Sequence, residues 1–105
     1  MIKVSFALKN GVINGFTLMG HSGLGAEGED ILCAAVSSAA YMTVNTITEV
    51  LGLEPQIQVD DGFMAIKLSS AEITKAQDIL CGFKLHLTEL SKDYKENITV
   101  KISEV

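Results

Sequence analysis

Four glycines fall within nine residues of this chain, at Gly20, Gly23, Gly25 and Gly28. So much glycine makes a regular element expensive in backbone entropy, and the stretch reads as a loop. It splits the chain into a short N-terminal part and a longer C-terminal part. Ahead of it, Ile2, Val4, Phe6 and Leu8 alternate with Lys3, Ser5, Ala7 and Lys9. A period of two is the mark of a half-buried strand. Asn10-Gly11 is a strong hairpin signal. A second strand should run from Val12 to about Met19, with Asn14-Gly15 marking a bulge or a shifted turn.

Beyond the loop, Asp30 is placed as an N-cap, with Glu27 and Glu29 beside it at the positive end of a helix dipole. The predicted helix runs from Ile31 to about Leu51 and ends at Gly52. Its first half is small (Ala34, Ala35, Ser37, Ser38, Ala39, Ala40), which permits close packing. Gln56 to Val59 and Phe63 to Leu68 flank Asp60-Asp61-Gly62 as a second hairpin. Ser69-Ser70-Ala71-Glu72 reads as a capping box. The helix after it carries Ile73, Ala76, Leu80, Phe83, Leu87, Leu90 and Tyr94 at three/four spacing, a stripe that suits packing on a sheet. Ile98, Val100 and Ile102 form a last strand. The expected fold is α+β, one domain over residues 1–105, in the order ββαββαβ, with two helices against a mostly antiparallel sheet.

Composition narrows the function classes. Apolar residues make up 48% of the 105, enough for a core. The formal charge is −5, with 13 acidic residues against 8 basic ones, and every basic residue is lysine. An acidic chain without arginine argues against nucleic acid as a partner and leaves basic partners open. Two cysteines do not make a disulfide scaffold. Ile31 to Thr48, the longest weakly charged stretch, carries six Ser, Thr and Asn residues and reads as too polar for a membrane span. With no signal-peptide pattern at the N-terminus, the expectation is a soluble cytoplasmic protein with reduced thiols.

The side chains able to do chemistry are few. His21 ends the second strand, and Cys33 falls in the first turn of the predicted helix. A thiol there feels the dipole and free N–H groups, which also suit an oxyanion. A histidine across a glycine loop can serve as its base. The opposing reading is that Cys33 is a small core residue. Asp30 either caps the helix or orients His21. Ser37, one turn after Cys33 on the same face, either lines a cleft or allows close packing. Zinc on His21, Cys33, Cys81 and His86 fits poorly, because Cys81 and His86 point apart around one helix and no Cys-x-x-Cys knuckle exists. His86 is expected on the surface and Cys81 in the core. Gly82, costly in mid-helix, is expected to mark a close helix contact.

Gly20-His21, the glycine loop, and Gly28-Glu29-Asp30-Ile31-Leu32-Cys33-Ala34-Ala35 together resemble the ribosomal-processing cysteine protease family, Prp. The likeness extends to length and element order over the whole chain. It implies His21 as general base and Cys33 as nucleophile, with Asp30 and Ser37 at the family's aspartate and serine. Ser22, Gly23, Gly25 and Gly28 would belong to the substrate-facing loop. It further implies a homodimer, no metal or other cofactor, and a peptide substrate. That substrate is the precursor of large-subunit ribosomal protein twenty-seven, which loses a short N-terminal extension ending in aromatic residues. Ser22 departs from the small apolar residue expected there, and Leu24 from a position often polar. Two rivals stay open: a non-catalytic assembly module for a basic ribosomal protein, and a thiol redox protein. The second lacks a nearby resolving cysteine.

Overall fold

The computed structural model describes residues 1–20 and 27–104, with only the backbone for 27–30. The elements are β1 (Ile2–Lys9), β2 (Val12–Met19), α1 (Glu27–Asn45), β3 (Gln56–Asp60), β4 (Phe63–Lys67), α2 (Ser70–Asp93) and β5 (Ile98–Glu104). This is the expected ββαββαβ order. The five strands form one sheet in the order β3-β4-β2-β1-β5. Every pairing is antiparallel except β1 with β5.

Local chemistry sets the strand ends. Asn10 and Gly11 take φ of 54° and 81°, the pair of positive values that a tight twisted hairpin needs. The bulge lies where Asn14-Gly15 predicts it. Ala7 pairs with Gly15 and Leu8 with Ile13, so Asn14 is the extra residue. Its carbonyl accepts the Leu68 N–H at 2.8 Å. Beside it, Gln77 of α2 holds the backbone of Ile13. The Ile13 N–H donates to Oε1 at 3.1 Å, and Nε2 donates to the Ile13 carbonyl at 2.6 Å. Gly15 must be glycine, since a Cβ there would collide with the Ile66 carbonyl oxygen on β4.

The helices cover one face of the sheet. Ile2, Val4 and Phe6 of β1 meet Leu32, Val36 and Ala40 of α1 and Ala76, Leu80, Phe83 and Leu87 of α2 in one core. Phe6, Phe16 and Phe83 form its centre, with ring centroids 4.9–5.9 Å apart. By length and composition Ile31–Val50 could cross a membrane. In this fold Leu32, Val36, Ala40, Val44 and Ile47 are buried in the core, as in a core helix.

Both helix ends carry information. At the N-terminus of α2, the Ser69 N–H and hydroxyl donate to Glu72 Oε1 at 2.8 and 2.9 Å, and the Glu54 N–H donates to Oε2 at 3.0 Å. The Ser69 N–H and then its hydroxyl lead in holding the Glu72 carboxyl below its ordinary pKa; desolvation opposes them, and the Glu54 N–H and the charge of Lys75 add lesser lowering. α1 continues into a π-helical turn, Thr46–Val50, where the Leu51 N–H reaches back to the Thr46 carbonyl at 2.9 Å. Thr43, Thr46 and Thr48 each donate a hydroxyl bond to the carbonyl four residues earlier, which loosens helical geometry. Gly52, at φ 69°, then ends it as expected.

Several expectations are corrected. α1 starts at Glu27, four residues before the predicted Ile31. Gly28 is therefore helical and not part of the loop, and Asp30 is inside the helix and not its N-cap. Three acidic residues in the first turn favour the positive helix end and offset the roughly 1 kcal/mol cost of Gly28. Cys81 is exposed, not in the core. Gly82 also faces open space, and a Cβ there would meet nothing within 4 Å, so it marks no close helix contact. Tyr94 caps α2 and is exposed instead of completing the apolar stripe. Ser22, Gly23 and Gly25 lie outside the described residues.

Candidate active site

β2 and α1 bring the ends of the Gly20-to-Cys33 segment to one place. Gly20 follows the last residue of β2, and its N–H donates to the Gly62 carbonyl in the β3–β4 turn at 2.9 Å. It takes φ 90°, and a Cβ there would collide with the Met1 carbonyl oxygen. Only glycine fits this position. The strand end directly before His21 is thereby fixed between the N-terminus and a turn.

Cys33 is half-buried, with a free thiol, on α1. Ser37 and Tyr41 follow at four-residue steps, so the three share one helix face. All three line a cavity of about 190 Å³, together with Gly20 and with Asp60 and Asp61 of the β3–β4 turn. Leu18 and Met64, from β2 and β4, supply apolar wall. The cavity thus has a thiol, a hydroxyl and a phenol around a partly apolar floor, with the β3–β4 turn at its rim. Asp60 is not idle, since its Oδ2 accepts from Gln58 Nε2 at 3.1 Å.

The earlier start of α1 changes the electrostatics expected at Cys33. It is the seventh helical residue, not one of the first turn. The unpaired N–H groups belong to residues 27–30, about 9 Å along the axis from Glu27 to Cys33 at 1.5 Å per residue. The dipole's influence fades within the first turn. Activation of this thiol therefore calls for a separate base rather than the helix end alone.

The structure brings Cys33 and Ser37 into one cavity, with Gly20, the neighbour of His21, in its wall. His21 itself lies outside the described residues, as does the side chain of Asp30. Tyr41, Asp60 and Asp61 were missed in the sequence. Tyr41 had a signal, being two turns from Cys33. Asp60-Asp61 was absorbed by its role in a turn. Among the described residues, no group of three or more His, Cys, Asp or Glu side chains could hold a metal ion. His86 is exposed on α2, as expected, and lies apart from the thiol cavity.

Comparison with known proteins identifies the family. The family model for cysteine protease Prp matches residues 1–99. The chain belongs to the Prp family of cysteine proteases. The ribosomal processing cysteine protease Prp of Staphylococcus aureus is 31% identical over 101 residues, covering 93% of this chain and 95% of that protein. The Bacillus subtilis Prp is 29% identical over 91 residues, 81% of each chain. A crystal structure from Streptococcus mutans superposes with a TM-score of 0.90 at 32% identity, covering 100% of this chain and 96% of the other. The S. aureus Prp in complex with a substrate peptide superposes at 0.88 and 28% identity, covering 98% of this chain and all of the other. This chain is thus a cysteine protease with the Prp fold.

Proposed function

We propose that this protease removes the short N-terminal extension of a ribosomal protein precursor, large-subunit protein twenty-seven, with Cys33 as nucleophile and His21 as general base. The observation that carries the reading is the position of Cys33. It is a partly exposed thiol in the wall of a cavity that Gly20, the residue before His21 in the chain, also lines. The S. aureus Prp has been crystallised with a covalently linked product peptide, which supports a covalent route for its relative here.

In this reading His21 takes the Cys33 proton, and the thiolate attacks the scissile carbonyl carbon. The tetrahedral intermediate collapses, the C–N bond breaks, and His21 gives the proton to the leaving amine. His21 then draws a proton from water, which attacks the thioester and frees the extension and the thiol. Ser37 borders the thiol and would contact the substrate, and Asp30, one turn before Cys33, would orient His21. Ser22, Gly23 and Gly25 would form the loop over the peptide. An acidic enzyme suits a basic ribosomal substrate.

The same reading places the protein in the cytoplasm as a homodimer without a cofactor. Ile31 and Met42 on α1 and Leu85 on α2 are exposed, which is apolar surface a second copy could cover. Sedimentation at micromolar concentration reports the dimer. The substrate is tested by incubating the enzyme with the full precursor and weighing the fragments. One cut behind the aromatic end of the extension supports the proposal. An intact precursor alongside efficient cleavage of an unrelated peptide overturns it.

A further inference from the structure

The face of the sheet turned away from the helices has a charge unlike the rest of the molecule. Cross-strand register puts Lys3 and Lys9 of β1, Lys67 of β4 and Lys101 of β5 on it, and all four are exposed. Within the strands its one carboxylate is Asp60, at a corner, while Glu54 and Glu72 border a depression beside Lys67. The remaining residues carry four lysines against twelve carboxylates. Protection of sheet edges does not explain this placement. Only Lys101 is on an edge strand, whereas β1 and β4 are interior.

The face is also hollow. Ala7, Gly15 and Ala65 leave a depression of about 520 Å³ between Lys9 and Lys67. A second, of about 330 Å³, lies beside Lys3 and Lys101 and is lined by Ser5 and Thr99. Thr17 borders both. The two adjoin at Thr17 as one trough, largely apolar in its lining, with a lysine pair beside each half and the hydroxyls of Ser5, Thr17 and Thr99 between. Lys3 and Lys9, six residues apart on one strand, are separated by about 20 Å.

We propose that this trough binds the sugar–phosphate backbone of double-helical RNA without reading its sequence. Lysines act as point charges toward phosphate, and small residues let a rigid backbone approach. The hydroxyls suit the 2′-OH groups that mark RNA. Single strands are a poorer fit, because the centre of the face has no aromatic ring on which bases could stack. The acidic remainder of the chain does not forbid the contact, since charges more than about 8 Å apart are largely screened at physiological salt. The thiol cavity lies on the helix side, so the two surfaces can be occupied together.

The test is fluorescence anisotropy of a labelled RNA duplex of about 16 base pairs titrated with the full chain. Two variants are compared. One replaces Lys3, Lys9, Lys67 and Lys101 with Gln, and the other replaces Lys75, Lys84, Lys92 and Lys95 with Gln. Both lower the net charge equally, and circular dichroism confirms that both are folded. The wild type should bind saturably at low salt, with log K falling against log salt at a slope of roughly −3 to −4 for four phosphate contacts. The sheet-face variant should lose ~10-fold or more in affinity, and the helix-side variant should keep it. Absence of wild-type binding at low salt overturns the proposal, as does equal loss in both variants. Equal affinity for a DNA duplex, or displacement of the RNA by polyglutamate at matched charge, overturns the assignment to RNA.

Discussion

Replacing Gln77 with alanine is expected to destabilise the protein by about 3 kcal/mol, although Gln77 is neither apolar nor near the thiol. Its amide supplies both hydrogen bonds to the backbone of Ile13, at 3.1 and 2.6 Å, and Ile13 is 4% exposed. Truncation leaves a buried N–H and a buried carbonyl without that partner, each costing about 1–3 kcal/mol. Water entering the vacated space offsets part of the upper limit. The midpoint of thermal unfolding should fall by roughly 15 °C for a domain of this size. Urea denaturation measures the loss directly, with an unchanged slope showing that the unfolded state is not the cause. Gln77→Glu sharpens the test. At neutral pH the introduced carboxylate still accepts from the Ile13 N–H but opposes the Ile13 carbonyl. Protonation restores a donor. The folded-state pKa of that carboxyl is therefore raised, and this variant should gain stability relative to wild type as pH falls and lose it as pH rises through that value. A loss below about 0.5 kcal/mol in Gln77→Ala, the range of an ordinary surface change, would refute the reasoning.

Other outcomes follow from the same structure. Gly82→Ala should stabilise by ~1 kcal/mol in urea titration, because the position is helical and open. Gly15→Ala should destabilise by roughly 2 kcal/mol or more through collision with the Ile66 carbonyl. Glu72 carries a lowered pKa, so its contribution is complete above its unfolded value and is lost as pH falls through the folded one. Glu72→Gln should flatten that acid-side slope in stability against pH. Cys33→Ser and His21→Ala should each abolish precursor cleavage while leaving the unfolding midpoint within a few degrees.

Much of the fold was legible because local chemistry and tertiary packing agree. Asn10-Gly11 makes its hairpin, Asn14 its bulge, Ser69 and Glu72 their cap, and Gly52 its helix end. The start of α1 was not legible, since Glu27-Gly28-Glu29 has no apolar period and its carboxylates favour a helix end through the dipole alone. Of the candidate site, Cys33 and Ser37 could be located from sequence, whereas the close approach of Gly20 to Met1 and to the β3–β4 turn could not. Asp60 and Asp61 could not, because only the pairing of β4 with β2 carries that turn to Gly20. The basic sheet face was hidden for a similar reason. Lys3 and Lys9 share a face by alternation, but Lys67 and Lys101 join them only through the strand order, and the net charge of −5 averages the face away.

The most direct measurement is intact mass spectrometry of the enzyme quenched early in its reaction with the precursor. The expected result is an adduct equal in mass to the released extension less one water, mapped by digestion to Cys33 and absent from Cys33→Ala. An adduct on another residue, or cleavage by Cys33→Ala at the wild-type rate, would contradict the role of Cys33 as nucleophile.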